Sequence, residues 1–279
     1  MDYCFHIDTI IDTALDEDVG SGDITTSAII DSSLKGKARL LAKEEILLAG
    51  IEVFSRVFSR LDPEIVVEYM YHDGDVIPKG ANIGTVTGSM RGILSGERTA
   101  LNFLQHLSGI ATLTRQYVEK IDPSAVRVID TRKTTPGLRV LEKYAVRMGG
   151  GFNHRFGLFD GILIKDNHIA AAGSISQAVK KTRATVPHTL KIEVEVEDIK
   201  GLEEAIGVGA DAILLDNMSV KEMKEAVSIA GGRVLLEASG GITLETIEAI
   251  SKTGINLISV GAITHSARSV DISLDVIKE

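Results

Sequence analysis

The chain has 279 residues, 44% of them hydrophobic and 25% charged, which is enough for one large globular domain or two ordinary ones. No apolar run is long enough for a membrane-spanning helix, and a formal net charge of −9 argues against nucleic acid or an acidic membrane as the main partner. The single cysteine, Cys4, excludes an internal disulfide, and the acidic N-terminus lacks a signal-peptide pattern, so we expect a cytoplasmic protein.

The first hundred residues predict a small α+β domain. The stretch 37–58 combines a strand with a helix, and 64–88 has the pattern of antiparallel strands with tight turns at Asp73-Gly74 and Lys79-Gly80. A long helix is predicted within 96–121. The acidic segment "LDEDVGSGDITT" (15–26) is rich in carboxylates, but we interpret it as structural rather than as a metal site.

The second half of the chain predicts strands that alternate with amphipathic helices. Six short β-rich apolar runs are found at 126–130, 161–165, 191–196, 212–216, 233–238 and 257–261. The last four begin 21 to 24 residues apart, which is the period of βα units and indicates a parallel sheet. Six such units favour a (β/α) barrel, and no GxGxxG follows the first strand, which argues against a Rossmann domain.

Polar or small residues follow each of these strands, and in a barrel such strand ends share one face, where the active site lies. These residues are Asp130-Thr131-Arg132-Lys133, Lys165-Asp166-Asn167-His168, Glu195, Asp216-Asn217, Ser239-Gly240-Gly241 and Gly261-Ala262. Six consecutive strands ending in this way predict a functional site at that face.

Cations are concentrated in one part of this acidic chain. The range 127–168 contains eight Lys or Arg against four acids. Arg139, Lys143 and Arg147 have helical spacing and are interpreted as a solvated helix face. The others with functional potential are Arg132, Lys133, Arg155 and Lys165, with His154. Such a cluster predicts a ligand with at least two negative charges, since charge-assisted hydrogen bonds contribute about 1.5–3 kcal/mol each.

Glycines lie beside the predicted cation cluster and in the turns where a phosphate could bind. The run Gly149–Gly151 precedes His154 and Arg155, and we expect it to let the backbone turn and direct these side chains into the barrel mouth. The turns "ASGG" (238–241) and "VGA" (260–262) follow the last two strands, where barrels often bind phosphate. His265 either adds a contact there or caps the following helix.

Two carboxylates end neighbouring late strands. Glu195 and Asp216 near a phosphate site suggest binding of ribose hydroxyls, of Mg²⁺, or of a developing positive charge. Glu193 shares the pleat face of Glu195 and lies one layer deeper if it points inward. The pattern leaves open which of the two glutamates takes part in chemistry.

The block "DTRKTTPGLRVLEKYAVRMGGGFNHRFGLFDGILIKDNHI" (130–169) closely resembles the quinolinate phosphoribosyltransferases. Matching segments cover nearly the whole chain in order, among them "GERTALNFLQHLSGIATLT" (96–114) and "LEASGGI" (236–242). The resemblance implies that quinolinate and 5-phosphoribosyl 1-diphosphate, with Mg²⁺, give nicotinate mononucleotide, diphosphate and CO2. It also implies an N-terminal α/β sandwich domain (1–108) rejoined by the C-terminal tail (268–279), and an incomplete (β/α) TIM-like barrel (109–267).

The resemblance further implies roles for individual residues and a homodimer, with no residue assigned as a direct metal ligand. Arg98 would reach quinolinate from the partner subunit. Around the substrates would lie Thr131, Arg132, Lys133, His154, Arg155, Lys165, Glu195, Asp216, Ser239, Gly240, Gly241, Val260, Gly261, Ala262 and His265. Within this set, Arg132, His154, Arg155 and Lys165 would surround the quinolinate carboxylates. Lys133, Glu195 and Asp216 would be catalytic, the two carboxylates holding the ribose, and the small residues would hold the 5′-phosphate.

Other readings of the sequence stay open. The related protein of molybdate-uptake operons shares the fold and part of the pattern, although the intact "KDNH" (165–168) favours the quinolinate enzyme. A nicotinate phosphoribosyltransferase would need fewer cations, and a type I phosphoribosyltransferase would need an acidic pair that is not found. A non-catalytic anion sensor would not need Glu195 and Asp216, and aldolase chemistry at Lys165 requires an uncharged amine.

Overall fold

The computed structural model of the chain describes residues 4–277, with side chains from Ile7 onward, so the side chain of Cys4 lies outside this range. The helices are α1 (Cys4–Asp18), α2 (Ile24–Ile29), α3 (Ile51–Leu61), α4 (Met90–Val118), α5 (Arg139–Met148), α6 (Asp166–Ala172), α7 (Ile175–Thr185), α8 (Ile199–Gly207), α9 (Val220–Ala230), α10 (Ile247–Ser251) and α11 (Ala262–His265). The strands are β1 (Lys35–Ala42), β2 (Ile46–Leu47), β3 (Val66–Tyr69), β4 (Val76–Ile77), β5 (Asn82–Ser89), β6 (Arg127–Ile129), β7 (Ile162–Ile164), β8 (Ile192–Val196), β9 (Ala212–Asp216), β10 (Leu235–Ser239), β11 (Leu257–Ser259) and β12 (Ile272–Val276).

The chain divides into two compact units. Unit 1 comprises 1–115, 135–150 and 266–279, and unit 2 comprises 116–134 and 151–265. Unit 1 therefore includes α5, which the sequence analysis placed in the barrel, and most of α4, which continues as one helix past residue 108. The domain limits 1–108 and 109–267 stay a prediction.

Unit 1 is built on an antiparallel sheet with the order β12-β1-β5-β3, beside a two-stranded β2-β4 ribbon. Gly74 and Gly80 have φ of 97° and 84°, and this left-handed backbone is why glycine is needed at the two predicted turns. The tail strand β12 pairs with β1, with Leu274 opposite Leu40. The tail thus rejoins the N-terminal sheet, as expected.

Local contacts explain two polar features of unit 1. Asp23 is the N-cap of α2 and accepts the backbone N–H of Thr26 at 2.9 Å, so this part of the acidic segment is structural, as interpreted from the sequence. The solvated-face interpretation is wrong for Lys143, which is only 3% exposed. Arg147 of the same row is exposed, and Arg139 is half-buried. Next to Lys143, the fully buried carboxylate of Glu142 accepts the Thr135 N–H at 3.2 Å and contacts His106 at 2.8 Å.

Unit 2 contains the six predicted strands in one parallel sheet with the order β6-β11-β10-β9-β8-β7. The helices α6 to α10 connect successive strands, as the βα period predicted. Beyond β6, Phe152 forms a single parallel bridge with Ile129. The sheet is therefore an incomplete TIM-like barrel. Among the described residues, no helix combines the length and apolarity needed to span a membrane.

The register of the central strands decides which side chains face the barrel interior. Leu214 pairs with Glu195 on one side and with Glu237 on the other. Alternate residues such as Val194, Ile213 and Leu215 are fully buried, since successive side chains in a strand point to opposite faces. Inward-facing carboxylates are thus set among apolar neighbours at the C-terminal half of the sheet.

Replacing Gly109 by Ala should lower the free energy of unfolding by about 1–3 kcal/mol, although alanine is the better helix former. Gly109 lies in α4, and a Cβ there would be 2.1 Å from the carbonyl oxygen of Arg268. Thermal or urea unfolding measures the change. The matched control is Gly207→Ala at the end of α8, where a Cβ meets nothing within 4 Å and we expect up to about 1 kcal/mol of stabilisation. Equal effects of the two substitutions would contradict the close approach at Gly109.

Candidate active site

A cavity of about 610 Å³ opens within unit 2 at the C-terminal ends of its strands. Most of the residues predicted for the site line it: Thr131, Arg132, Lys133, His154, Arg155, Lys165, Glu195, Asp216, Ser239, Gly240 and Gly241. Residues predicted at the ends of five strands, β6 to β10, therefore meet in one place, together with His154 and Arg155 from the segment after Phe152. This convergence is the geometry that the strand-end pattern predicted.

Five of the predicted residues are not among the described residues that line this cavity: Arg98, Val260, Gly261, Ala262 and His265. Arg98 lies exposed on α4 of unit 1. Gly261 is nevertheless close to the lining, because a Cβ there would lie 3.3 Å from Cδ of Lys133 and 3.1 Å from Nε2 of His265. The backbone at Gly261 thus packs against the side chain of a cavity residue, which only a glycine allows without displacement.

Lys133 is held by its own backbone. Its N–H donates to Oγ1 of Thr131 at 3.0 Å, and its carbonyl accepts the hydroxyl of Thr264 at 2.7 Å. Thr264 is buried in the short helix α11, so it is a fixed anchor. These bonds fix the backbone from which the side chain extends, and they leave the charge of the ammonium group unaltered.

Two of the three glycines before His154 are required by the geometry of the backbone. Gly149 lies so close to α4 that a Cβ would be 2.6 Å from the carbonyl oxygen of Ala111, and Gly150 has φ of 84°. Asp130, which is fully buried just after β6, accepts hydrogen bonds from the backbone N–H of His154 at 2.8 Å and from Nδ2 of Asn153 at 2.6 Å. The buried carboxylate fixes the segment from which His154 and Arg155 extend.

Arg155 shows that the cavity favours an anion. Its guanidinium donates to the carbonyl of Gly161 at 2.9 Å. Burial lowers the pKa of Arg155, and the nearby charge of Arg132 lowers it further, against the opposite effect of Glu193. The half-buried guanidinium of Arg155 thus lies near that of the exposed Arg132, and a negative ligand bound between them would favour both charges.

Lys165 and Glu195 form an ion pair on the wall of the cavity. Nζ of Lys165 lies 2.6 Å from Oε2 of Glu195, and the Glu195 side chain is mostly buried. The backbone N–H of Lys165 donates to Nδ1 of His168 at 3.0 Å, which closes the start of α6. In "KDNH" the histidine therefore positions the lysine through the backbone.

Asp216 is oriented by its neighbour. Nδ2 of Asn217 donates to Oδ2 of Asp216 at 2.9 Å. Asn217 has φ of 54°, the only positive value among the described non-glycine residues, and its N–H donates to the carbonyl of Ser239 at 2.9 Å. Gly240, with φ of 95°, leaves room for this arrangement, because a Cβ there would be 2.2 Å from Oδ1 of Asn217.

The cavity also includes five residues to which the sequence analysis gave no role. Asn217 was placed at this face by the strand-end pattern, and the others are Leu163, Leu214, Glu237 and Ser259. Glu237 could have been found by counting back two residues from Ser239, since alternate residues of a strand share a face. Its side chain is 1% exposed. Burial raises the pKa of Glu237 well above its ordinary value, and the negative charge of Glu193 adds to this shift. No pattern in the sequence signals the left-handed backbone of Asn217.

His154 contacts two of the inward-facing glutamates. Nε2 of His154 is 3.0 Å from Oε2 of Glu193 and 3.7 Å from Oε2 of Glu237. One ligand atom from each of these three residues lies within 4.8 Å of the others, a spacing that also suits a divalent cation. Glu193 thus interacts with His154, while Glu195 pairs with Lys165, which separates the two glutamates that the sequence left undistinguished.

The lining combines four cations with three carboxyl groups, a glycine turn at Ser239–Gly241 and two leucines. Such a site binds a ligand with several negative charges, offers carboxylate oxygens to hydroxyl groups, and stabilises positive charge that develops near Glu195 or Asp216. Nζ of Lys165 is already engaged by the carboxylate of Glu195, which disfavours a role as an aldolase-type nucleophile.

Comparisons with known proteins agree with this chemistry. Residues 110–275 match the domain family described as "Quinolinate phosphoribosyl transferase, C-terminal domain", and residues 23–108 match the corresponding N-terminal domain family. The chain is 49% identical over 260 residues to a probable nicotinate-nucleotide pyrophosphorylase [carboxylating] of Bacillus subtilis, covering 93% of this chain and 90% of that protein. A protein of the same name from Synechocystis is 42% identical over 275 residues, covering 98% of this chain and 93% of that protein.

Solved structures show the same relationship. The crystal structure of NadC from Streptococcus pyogenes superposes with a TM-score of 0.94 at 46% identity and covers 98% of both chains. Human nicotinic acid phosphoribosyltransferase shares the fold alone, with a TM-score of 0.62 at 13% identity, and 97% of this chain and 74% of that chain are covered. Matches to both domains of the family, together with relatives above 40% identity over nearly the full length, establish that this chain belongs to the quinolinate phosphoribosyltransferase family.

Proposed function

We propose that this enzyme transfers the phosphoribosyl group of 5-phosphoribosyl 1-diphosphate to the ring nitrogen of quinolinate. The products are nicotinate mononucleotide, diphosphate and CO2, and the reaction serves de novo NAD synthesis. The observation that carries the proposal is the cavity of unit 2, where cations meet carboxylates and a glycine turn in a chain of this family.

Quinolinate is a dianion, and the proposed binding site for its two carboxylates is the group Arg132, Arg155 and Lys165. The lowered pKa of Arg155 marks a place where positive charge is held against burial and repulsion. A ligand with two carboxylates relieves both costs, whereas the monoanion nicotinate relieves less. We assign Ser239–Gly241, with the neighbouring segment Val260–Ala262 and His265, to the 5′-phosphate.

The chemistry requires one bond exchange at ribose C1 and one loss of CO2. The lone pair of the pyridine nitrogen forms the bond to C1 as the bond from C1 to the diphosphate oxygen breaks. Positive charge develops on the ribose, and the carboxylates of Glu195 and Asp216 stabilise it, while Lys133 stabilises the departing diphosphate. The ribosylated ring is a pyridinium, which accepts the electron pair released when the adjacent carboxylate leaves as CO2. That ring carbon then takes up one proton, and no general base is needed.

Mg²⁺ is proposed to enter as part of the 5-phosphoribosyl 1-diphosphate substrate. It would neutralise negative charge on the leaving diphosphate. The oxygen-rich side of the cavity around Asp216 suits such a complex, because Mg²⁺ prefers oxygen ligands and retains waters. We assign no residue of the chain as its direct ligand.

We also propose a homodimer in which Arg98 completes the quinolinate site of the partner subunit, with further assembly of dimers left open. Arg98 is exposed on α4, and the neighbouring Glu97 has a raised pKa, chiefly because of burial. We further propose a cytoplasmic location, which is consistent with a single cysteine. We also propose that the protein binds small molecules rather than nucleic acid or membranes.

Purified protein supplied with 5-phosphoribosyl 1-diphosphate, Mg²⁺ and quinolinate should form nicotinate mononucleotide and one CO2 per nucleotide. Nicotinate in place of quinolinate should not react. Mass spectrometry measures the nucleotide, and trapped CO2 gives the stoichiometry. Turnover of nicotinate without CO2 would contradict the proposed selection of a dianion, and no turnover of either compound by folded protein would favour an anion-binding role.

In the same assay Arg155→Met should lower kcat/KM for quinolinate by about tenfold to a hundredfold, the effect of losing charge-assisted hydrogen bonds. The matched control is Lys252→Met, which removes the same charge from an exposed pair with Glu248 and should change little. Similar losses in both variants would show that net charge, and not the position of Arg155, matters.

Asn217→Gly should keep the left-handed backbone and remove the amide that orients Asp216. We expect KM for 5-phosphoribosyl 1-diphosphate to rise and kcat to fall, with little change in stability. Asn217→Ala removes the same amide and adds about 1–2 kcal/mol of backbone strain, so it should also melt earlier. Steady-state kinetics and thermal unfolding separate the effects. Wild-type kinetics in Asn217→Gly would mean that Asp216 is oriented without this hydrogen bond.

Mixing two inactive variants tests the shared site. Arg98→Ala and Lys165→Met should each lose most activity, because each lacks one cation for quinolinate. Unfolded and refolded together, they should regain activity, since one site of a mixed dimer would contain both wild-type residues. Each variant refolded alone is the control. Mixed dimers that form, as seen by differential tagging, but stay inactive would place Arg98 outside the partner's site.

A further inference from the structure

Three titratable side chains meet at the floor of the cavity. His154 extends from the segment after Phe152, Glu193 from β8 and Glu237 from β10. Nε2 of His154 lies 3.0 Å from a carboxylate oxygen of Glu193 and 3.7 Å from one of Glu237. The Glu237 side chain is 1% exposed and that of Glu193 is 11% exposed, so water does little to separate their charges.

The hydrogen bonds of His154 define its protonation. Nδ1 accepts the backbone N–H of Arg155 at 2.7 Å, so this nitrogen carries no proton. Nε2 therefore carries the proton and donates it to Glu193. Oε2 of Glu193 accepts this hydrogen bond at 3.0 Å. His154 thus uses both nitrogens to join Glu193 to the backbone of Arg155.

Glu237 is less well compensated. Among the described residues no hydrogen bond reaches either of its carboxyl oxygens, and the nearby Ser259 hydroxyl of β11 offsets only part of the rise in pKa that burial and Glu193 cause. The charged or titratable groups near it are His154, Glu193 and Glu195, and Lys165 is already 2.6 Å from Glu195. The neighbouring strands β9 and β11 present Leu214 and Ser259. A second carboxylate charge beside Glu193 in this place is strongly unfavourable.

We propose that Glu237 is a positioning residue that acts as a neutral carboxylic acid: from the cavity floor it holds Glu193 against His154, and through His154 it fixes Arg155. A protonated carboxyl group needs only a small rotation to donate to Glu193, which an ionised one cannot do. The inference rests on the proposed function, because Arg155 is assigned there to quinolinate. It adds Glu237 to the residues of that site. The neutral charge of this side chain, and not only its volume, is then needed for quinolinate binding.

Both substrate binding and stability should depend on pH through Glu237. An ionised Glu237 would put a second negative charge under a dianionic substrate, so KM for quinolinate should rise as pH passes the raised pKa of Glu237. The free energy of unfolding should also depend on the ionisation of Glu237. Burial raises the Glu237 pKa above its ordinary value of 4.5, so the unfolded chain ionises first, and stability falls as pH rises from that value through the raised one.

The experiment compares wild type with Glu237→Gln and Glu237→Met in the full-length protein. Glutamine copies the donor and the neutral charge of the acid, whereas methionine keeps the volume and removes the donor. We expect Glu237→Gln to retain most of kcat/KM and Glu237→Met to lose about tenfold, mainly through KM for quinolinate. The rise of KM with pH should be present in wild type and absent in Glu237→Gln.

Thermal unfolding across the same pH range gives a second, substrate-free readout. Wild type and Glu237→Gln should melt alike in acid and diverge as pH rises, with the variant more stable. A Glu237→Gln enzyme as defective as Glu237→Met would overturn the proposal, because a carboxylate charge would then be required. So would a stoichiometric divalent metal in wild type that is lost from Glu237→Gln by elemental analysis.

The two proposals fail in distinguishable ways. If wild type turns over no quinolinate but the unfolding curves diverge as expected, the function is wrong and the neutral state of Glu237 stands. If wild type is active and the unfolding curves of wild type and Glu237→Gln stay parallel at all pH values, Glu237 is not the neutral acid and the inference is wrong.

Discussion

The parallel register of β8, β9 and β10 decides which side chains reach the cavity. Glu195 and Glu237 both pair with Leu214, and Asp216 pairs with Ser239, so these residues form successive levels of one interior face. A shift of one residue in any of these pairings would turn a carboxyl group toward the surrounding helices and an apolar side chain into the cavity. The apolar packing of the outer face therefore maintains the register that the chemistry requires.

Much of this arrangement could be predicted from the sequence, because periodicity reports backbone geometry directly. All six predicted strands formed, and the residues after them converge because parallel strands end on the same side of a sheet. Lys143 was assigned wrongly because helical spacing identifies a face but not what covers it. In unit 1 Lys143 is buried beside Glu142, which contacts His106 of α4, whereas Arg147 on the same face stays exposed.

The parts of the site that could not be predicted depend on tertiary contacts. Asn217 takes a left-handed backbone between Asp216 and Gly240, and the residue type alone does not specify this. Glu237 lies on a strand that otherwise reads as apolar, and its neutral state depends on Glu193 from another strand. The resemblance suggested that His154 binds substrate carboxylates, but the hydrogen bonds commit both of its nitrogens within the protein. Its role in binding stays a prediction.

A cavity that concentrates cations faces a physical conflict, since neutralising them with carboxylates would oppose binding of an anion. Here three of the cations are anchored through the backbone: His154 accepts the N–H of Arg155, His168 that of Lys165, and Thr264 donates to the carbonyl of Lys133. Each such bond contributes about 1 kcal/mol without altering the charge of the side chain. The positive charge is thereby held in place and kept available to a ligand.

Lys165 is the exception, because it also pairs directly with Glu195 at 2.6 Å. A quinolinate carboxylate that binds Lys165 competes with this pair, and the carboxylate of Glu195 then loses part of its compensating charge. An exposed negative charge at this position is the group that a positively charged ribose transition state needs. In the proposed reaction, quinolinate bound at Lys165 would thus strengthen the stabilisation that Glu195 offers to the ribose, and the ion pair would link recognition of quinolinate to catalysis at C1.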